Sequence, residues 1–263
     1  MKNKKNLKLF LKKGYLIIDN VISEKERKKI KSIYFKILKK YKKKTKIKNP
    51  LEDVIYNLHN KNDIFLKYID HKKIINTVRE ALSEGSYDKN EFIVLRQSAI
   101  RNPRKGHAQQ LHNDTRISGI HCPLIIQAIW MIDEFNDLNG ATRVLPNSQF
   151  LKKFPVNKKK YKKELILKGK PGSVLLLNAG MWHGSSEKKN NDDRLGMIFS
   201  YSKWFLKGSF DHTLNTPLKV FKKLSKYQKE LLGFKFSSPI DEFTNSSSRS
   251  KVNIKPKNNY NLP

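Results

Sequence analysis

The feature that most constrains the fold is a change of texture at residue 91. From there to residue 205, short apolar runs alternate with turns rich in Gly, Pro, Asn and Asp: "EFIVLRQSAI", "LIIQAIWMID", "ATRVLP", "ELILK", "GSVLLLN" and "RLGMIFSYSKWF". Repeated short apolar runs with turn chemistry between them point to antiparallel strands arranged as a sandwich or barrel. The segment before this region has a different period. "GYLIIDNVIS" predicts a strand and turn, Ser23 and Glu26 form a capping-box signature, and a helix over about 24–42 follows with Ile30, Ile33, Tyr34, Ile37 and Leu38 on one face. Two or three short helical patterns are expected over 51–83, stopping at Gly85, with His59 and His71 in surface or packing roles. "LKVFKKLSKYQKELLGF" suggests helix again near the end.

The expected fold class is therefore mostly β with flanking helices. One domain is predicted over 1–250, with a helical part at about 1–88, a β-barrel core at about 89–206 and a C-terminal helical part at about 214–235. The Ser/Asn/Lys-rich end from about 245 lacks apolar periodicity, and 251–263 is expected to be a flexible basic tail.

Charge is the next constraint. The net charge is +32, which at face value suggests a nucleic-acid or anionic-membrane partner. Of the 55 basic residues, however, nine are arginine and 46 lysine, while phosphate and base recognition lean on arginine's bidentate fork. The lysines are scattered along the chain beside abundant Asn and Ile, as an A/T-rich coding bias would produce. No specific nucleic-acid partner and no membrane partner are expected, although a non-catalytic basic binding protein is a rival with its own signature, an affinity falling steeply with salt. A single cysteine, Cys122, excludes an internal disulfide, and lysines break every apolar run of the N-terminal stretch, so a reducing cytoplasmic location is expected.

Candidate chemistry begins at "QLHNDTR". In extended chain, residues i and i+2 face the same side, so His112 and Asp114 can present an imidazole and a carboxylate to one ion. Such a pair arises readily by chance and needs support. His183 in "NAGMWHGSSE" follows the apolar run "SVLLL", where a strand end meets a barrel mouth, and two histidines with one carboxylate is the donor set of non-haem Fe(II) oxygenases. Eleven residues on, Arg194 enters an apolar strand, a costly position unless the guanidinium meets an anion. The far carboxylate of a bound dicarboxylate would supply one, and Ser185 could add a hydroxyl donor. A zinc or nickel site drawing on His107, His112 or His121 is the rival within enzymes, but it has no need of Arg194.

The order His112-x-Asp114, "NGATRVLPNSQ", "GSVLLLNAGMWHGSS" and Arg194 resembles the phytanoyl-CoA dioxygenase family of Fe(II)- and 2-oxoglutarate-dependent oxygenases, over nearly the whole chain. That resemblance implies a double-stranded β-helix fold of the jelly-roll type and Fe(II) and 2-oxoglutarate as cofactor and cosubstrate. It implies His112, Asp114 and His183 as iron ligands, and Arg194 with Ser185 holding the distant carboxylate. Trp130 falls where the family often has an aromatic lining the pocket, with ordinary core packing the equal alternative; Gln97 is a further polar candidate. The reaction implied is O2-dependent hydroxylation of a small molecule, because related halogenases replace the carboxylate of Asp114 with a small residue. The turn ends Pro146, Asn147, Ser148, Gln149 where the family commonly has Pro-Gly-Ser-His, a departure that touches substrate detail. "RNPRKGHAQQ" is a candidate lid, with Arg101, Arg104, Lys105 and His107 meeting an anionic substrate such as an acyl thioester or a phosphorylated or carboxylated metabolite. A solvated basic loop is the alternative, and Arg116 beyond the triad is a further substrate-side candidate.

Overall fold

A computed structural model describes residues 2–44, 52–88 and 90–235; the expected mobile end from about 245 and the tail 251–263 lie outside the described residues. Among the described residues nine strands follow in chain order: β1 (Tyr15–Ile18), β2 (Glu52–Tyr56), β3 (Ile93–Pro103), β4 (Ile125–Met131), β5 (Thr142–Val144), β6 (Leu165–Ile166), β7 (Val174–Asn178), β8 (His183–Ser185) and β9 (Gly196–Lys203). They form two antiparallel sheets, one of six strands in the order β1-β7-β4-β9-β3-β2 and one of three in the order β6-β5-β8. Ile129, Met131, Leu175 and Leu177 of the large sheet pack with Val144 of the small one and with Ala141 and Leu167 to make the inner core. This is a double-stranded β-helix with helices outside it, as the β texture and the family resemblance imply.

The helices cover the outer face of the large sheet: α1 (Lys2–Lys13), α2 (Glu24–Lys44) and α3 (Lys72–Leu82). Ile30, Tyr34 and Leu38 of α2 and Ile74, Ile75, Val78 and Leu82 of α3 meet Ile126, Ala128, Trp130, Leu176 and Phe199 in a second, larger core. Alternation along β4, β7 and β9 divides their residues between the two cores, and both faces are buried, so β4 and β7 read as nearly continuous apolar runs. At the start of α2 the backbone of Glu26 donates to Ser23 Oγ at 3.4 Å, while the Glu26 carboxylate turns away to Tyr68 and Lys67, so only half of the expected capping box forms.

Two expectations need correction. Residues 52–56 are strand β2 and not helix, because pairing with the far end of β3, from Glu52 opposite Pro103 to Tyr56 opposite Ala99, satisfies their backbone. Downstream of them lie two short 3-10 turns and then α3, with Gly85 at φ +68° beyond its end. The C-terminal helical part is three short pieces, α4 (His212–Asn215), α5 (Leu218–Phe221) and α6 (Lys226–Leu231). Pro217 lacks an amide donor and ends the first piece, and Ser225 caps the third through a full capping box with Gln228. No helix among the described residues is long and apolar enough to cross a membrane.

Candidate functional site

The site lies between the two sheets and is held together by backbone pairing. His112 and His183 form an isolated antiparallel bridge, each amide donating to the other's carbonyl at 2.9 Å, and Asp114 N donates to Ala179 O at 3.0 Å. The loop carrying the His-x-Asp pair is thereby fastened to the segment carrying β8. Asn113, between the two, folds its side chain into the loop: its Oδ1 accepts from the amides of Thr115 and Arg116, and its Nδ2 donates to Gly180 O at 2.9 Å. Asn113 thus organises the turn while its neighbours face inward.

Ligating atoms of His112, Asp114 and His183 all lie within 4.8 Å of one another. His112 Nε2 is 3.5 Å from Asp114 Oδ1, and His183 Nε2 is 3.7 Å from Asp114 Oδ2. Each imidazole donates its Nδ1–H to a main-chain carbonyl, His112 to Gln110 at 2.9 Å and His183 to Met181 at 2.8 Å. A carbonyl can only accept, so these bonds leave Nε2 of both rings with a lone pair turned toward the carboxylate. Burial also pushes the His183 pKa down, favouring the neutral, ligating form despite the opposing pull of Asp114. Gln127 on β4 donates from Nε2 to Asp114 Oδ2 and fixes that carboxylate. Three donors of this type, converging and pre-oriented, suit a divalent transition metal and leave its other positions open.

Rows of inward residues across β3, β9 and β4 lead away from the triad. Gln97, Ser200 and Gln127 form a polar row beneath it, Ala99, Ile198 and Ile129 an apolar one, and Arg101, Gly196 and Met131 the third. A narrow cavity of about 150 Å³ runs along these rows, with His112, Asp114 and His183 at one end and Arg101, Arg194 and Ser185 at the other. Gly196 makes room there, since a Cβ would stand 2.9 Å from the Phe135 ring and 3.2 Å from Arg194 Nη1.

Arg194 is 7% exposed, and its guanidinium lies over the Phe135 ring at 4.6 Å. Nε donates to Asn139 O at 3.3 Å and Nη2 to Gly140 O at 2.7 Å, whereas Nη1 has no hydrogen-bond partner among the described residues. Burial pushes its pKa down to about 10, so it remains a cation at neutral pH. Glu52 is the carboxylate that acts on it most strongly, followed by Asp133, but Glu52 already pairs with Arg101 at 3.2 Å and Asp133 with Lys31 at 3.1 Å. Two guanidinium groups therefore share one carboxylate, leaving the cavity end with an excess positive charge. Ser185 Oγ is buried with no partner among the described residues. An unpaired buried hydroxyl and an under-compensated buried cation both cost stability unless an anion arrives. The residues present thus fit a dicarboxylate that reaches from the triad to Arg194.

The other candidates divide sharply. Gln97 faces the cavity, as expected. Trp130 does not: it is fully buried on the opposite face of β4, edge-on to Tyr68 at 4.8 Å and to His71 at 5.0 Å, because strand alternation points it away from Gln127 and Ile129. The basic stretch 101–107 is not a lid. Arg101 belongs to β3 and lines the cavity, Arg104 bonds Asp53 at 2.8 Å outside it, and Lys105 is exposed and lines neither this cavity nor the cleft beside the triad. His107 sits against Glu52 and His121 stacks on Phe150, so neither joins the triad. Arg116 lines an outer cleft next to the triad. The sequence reading missed Gln127, Glu52 and Arg96. Gln127 was visible as a lone polar residue inside an apolar run and Arg96 as a cation directly after the apolar run "FIVL", costly placements that signal a partner.

Comparisons with known proteins agree with this geometry. A curated relative, Dioxygenase sphC from Aspergillus fumigatus, is 29% identical over 115 residues, 43% of this chain and 31% of that protein's length. The chain thus matches about a third of that relative. Among solved structures, HygX from Streptomyces hygroscopicus with nickel and 2-oxoglutarate bound superposes with a TM-score of 0.65 at 18% identity, covering 78% of this chain and 88% of that one. HygX from the same organism with iron bound gives 0.63 at 17% identity, again over 78% and 88%. These likenesses show the fold. The sequence profile of the phytanoyl-CoA dioxygenase (PhyH) family matches residues 10–196, from the end of α1 through the triad and Arg194 to the start of β9, and the chain belongs to that family.

Proposed function

We propose that the protein is an Fe(II)- and 2-oxoglutarate-dependent dioxygenase that hydroxylates a small organic molecule. The observation that carries this reading is the two-ended cavity: a converging His/Asp/His cluster at one end, and the buried, under-compensated Arg194 with Ser185 Oγ, which has no partner among the described residues, at the other. HygX, with metal and 2-oxoglutarate bound, adds support from a shared fold. On this reading His112, Asp114 and His183 hold the iron, while Arg194 Nη1 and Ser185 Oγ donate to the far carboxylate of 2-oxoglutarate. Iron and cosubstrate together supply the oxidation, with dioxygen and 2-oxoglutarate consumed, carbon dioxide and succinate released and one oxygen atom passed to a substrate C–H bond.

The chain's own residues supply position and dryness. Backbone bonds to Gln110 and Met181 keep both imidazole lone pairs inward, Gln127 stops Asp114 from rotating, and Ile129 with Ile198 keep the middle of the cavity apolar. Asp114 itself occupies the third ligand position, which favours hydroxylation over halogenation. The test is oxygen-dependent formation of succinate from 2-oxoglutarate by the Fe(II)-loaded protein in the presence of pooled candidate metabolites. Succinate is expected from the wild type and not from Asp114→Ala. Equal succinate from both proteins would remove the assignment.

A further inference from the structure

Outside the narrow cavity, the triad opens into a cleft of about 790 Å³, well within the range of small-molecule sites. Its lining includes two cations, Arg96 and Arg116, and one acidic residue, Asp114, whose charge is taken up by the metal if the proposed function holds. Arg96 owes its direction to an irregularity. Leu95 pairs with Tyr201 and Gln97 with Ser200, so Arg96 is an extra residue in β3, and this bulge turns it to the same side as Gln97. Its Nε is buried without a hydrogen-bond partner among the described residues, and Asp114 is the acidic group nearest in effect to its guanidinium. Arg116 reaches the cleft from a left-handed backbone, φ +55°, a conformation that costs energy for a residue with a Cβ and is held by the Asn113 turn. Phe154, 50% exposed, and Pro155 give the cleft an apolar wall.

We propose that this cleft binds the prime substrate as an amphipathic anion, its carboxylate or phosphate held between Arg96 and Arg116 and its apolar body against Phe154 and Pro155. This deepens the proposed function and rests on it. A half-buried guanidinium without its own counter-ion is stabilised by an incoming oxyanion, whereas an amine would meet two like charges and one carboxylate already engaged by metal. The anion site thus lies on the bulge of β3 and the turn after the triad, and not on the stretch 101–107.

The test is ligand-observed NMR on protein loaded with Zn(II), a diamagnetic stand-in for Fe(II), and 2-oxoglutarate, at about physiological salt, where exposed lysines are screened. The probes are phenyl phosphate, 3-phenylpropionate and phenethylamine. Both anions are expected to bind and the amine not, and the tighter of the two anions assigns the group as phosphate or carboxylate. Arg96→Gln is expected to weaken anion binding about tenfold or more, Arg96→Lys to recover part of it, and the exposed Arg116→Gln to weaken it about threefold. Amine binding as tight as the anions', anion affinity unchanged in Arg96→Gln and Arg116→Gln, or no anion binding at millimolar concentration while 2-oxoglutarate binds would each overturn the proposal. Failure of the wild type to bind 2-oxoglutarate would be a different result, striking the proposed function and this inference together.

Discussion

Strand β4 presents two unlike worlds one residue apart. Its inner face carries Gln127, Ile129 and Met131, with Gln127 tied to Asp114; its outer face carries Ile126, Ala128 and Trp130, sealed beneath the helices. The inner face lines the cavity that Ser185 Oγ and Arg194 also line, while the outer face is filled by aromatic packing among Trp130, Tyr68 and Phe199. The difference teaches that the two faces do different jobs: substitutions on the inner face should cost binding and spare stability, and those on the outer face the reverse.

The sharpest break of that division would come from Asp114→Ala. Removing one of three ligands is expected to abolish measurable Fe(II) binding while the melting temperature of the metal-free protein stays within a few degrees; retained iron affinity in an equilibrium dialysis would break it. Trp130→Ala should do the opposite. Loss of a fully buried indole costs about 3–5 kcal/mol of unfolding free energy, read from the denaturant midpoint, with 2-oxoglutarate affinity of the folded fraction unchanged. A large fall in affinity without loss of stability would return Trp130 to the pocket.

Next in size is a pH effect away from the site. His212 and His59 pack edge-to-face at 4.9 Å, both buried, and burial pushes the His212 pKa down to about 4 and that of His59 well below its usual value. A histidine whose folded pKa is depressed contributes stability that is complete above about pH 6.5 and is lost as pH falls toward 4, on the order of 3 kcal/mol for His212. Denaturation series between pH 7 and pH 4 should therefore fall less steeply for His212→Gln than for the wild type; parallel series would contradict the buried neutral pair. Arg194→Gln is expected to keep iron and weaken 2-oxoglutarate about 10- to 100-fold, the value of hydrogen bonds to a charged group. Gln127→Ala, removing only the support of a ligand, should weaken metal binding by about tenfold, and no change would reduce Gln127 to filler.

Much of this arrangement was legible in the sequence, and the failures have a common cause. His112, Asp114, His183 and Arg194 stood out because each is expensive or pointless alone and they share one order along the chain. Trp130 stayed open between pocket and core because "LIIQAIWMI" is apolar at every position but one, so periodicity could not say which face was which. Gln127, the exception, carried the answer: a polar residue in a doubly buried strand must point at a partner, which puts Trp130, an odd number of positions away, on the other side. The direction of Arg96 was hidden by a bulge, which shifts the alternation that a sequence pattern relies on. Strand β2 was missed because its five residues, "EDVIY", are too short a run to set a period of two apart from the helical patterns that follow, and the partner β3 makes them a strand.

The central claim is that the inner cavity is built for one anion spanning metal and Arg194. An anaerobic titration of the protein with 2-oxoglutarate, with and without Fe(II), tests it most directly. The account predicts saturable binding that requires Fe(II), disappears in Asp114→Ala and weakens in Arg194→Gln. Absence of Fe(II)-dependent binding at millimolar 2-oxoglutarate, or equal affinity in the Arg194→Gln protein, would contradict it.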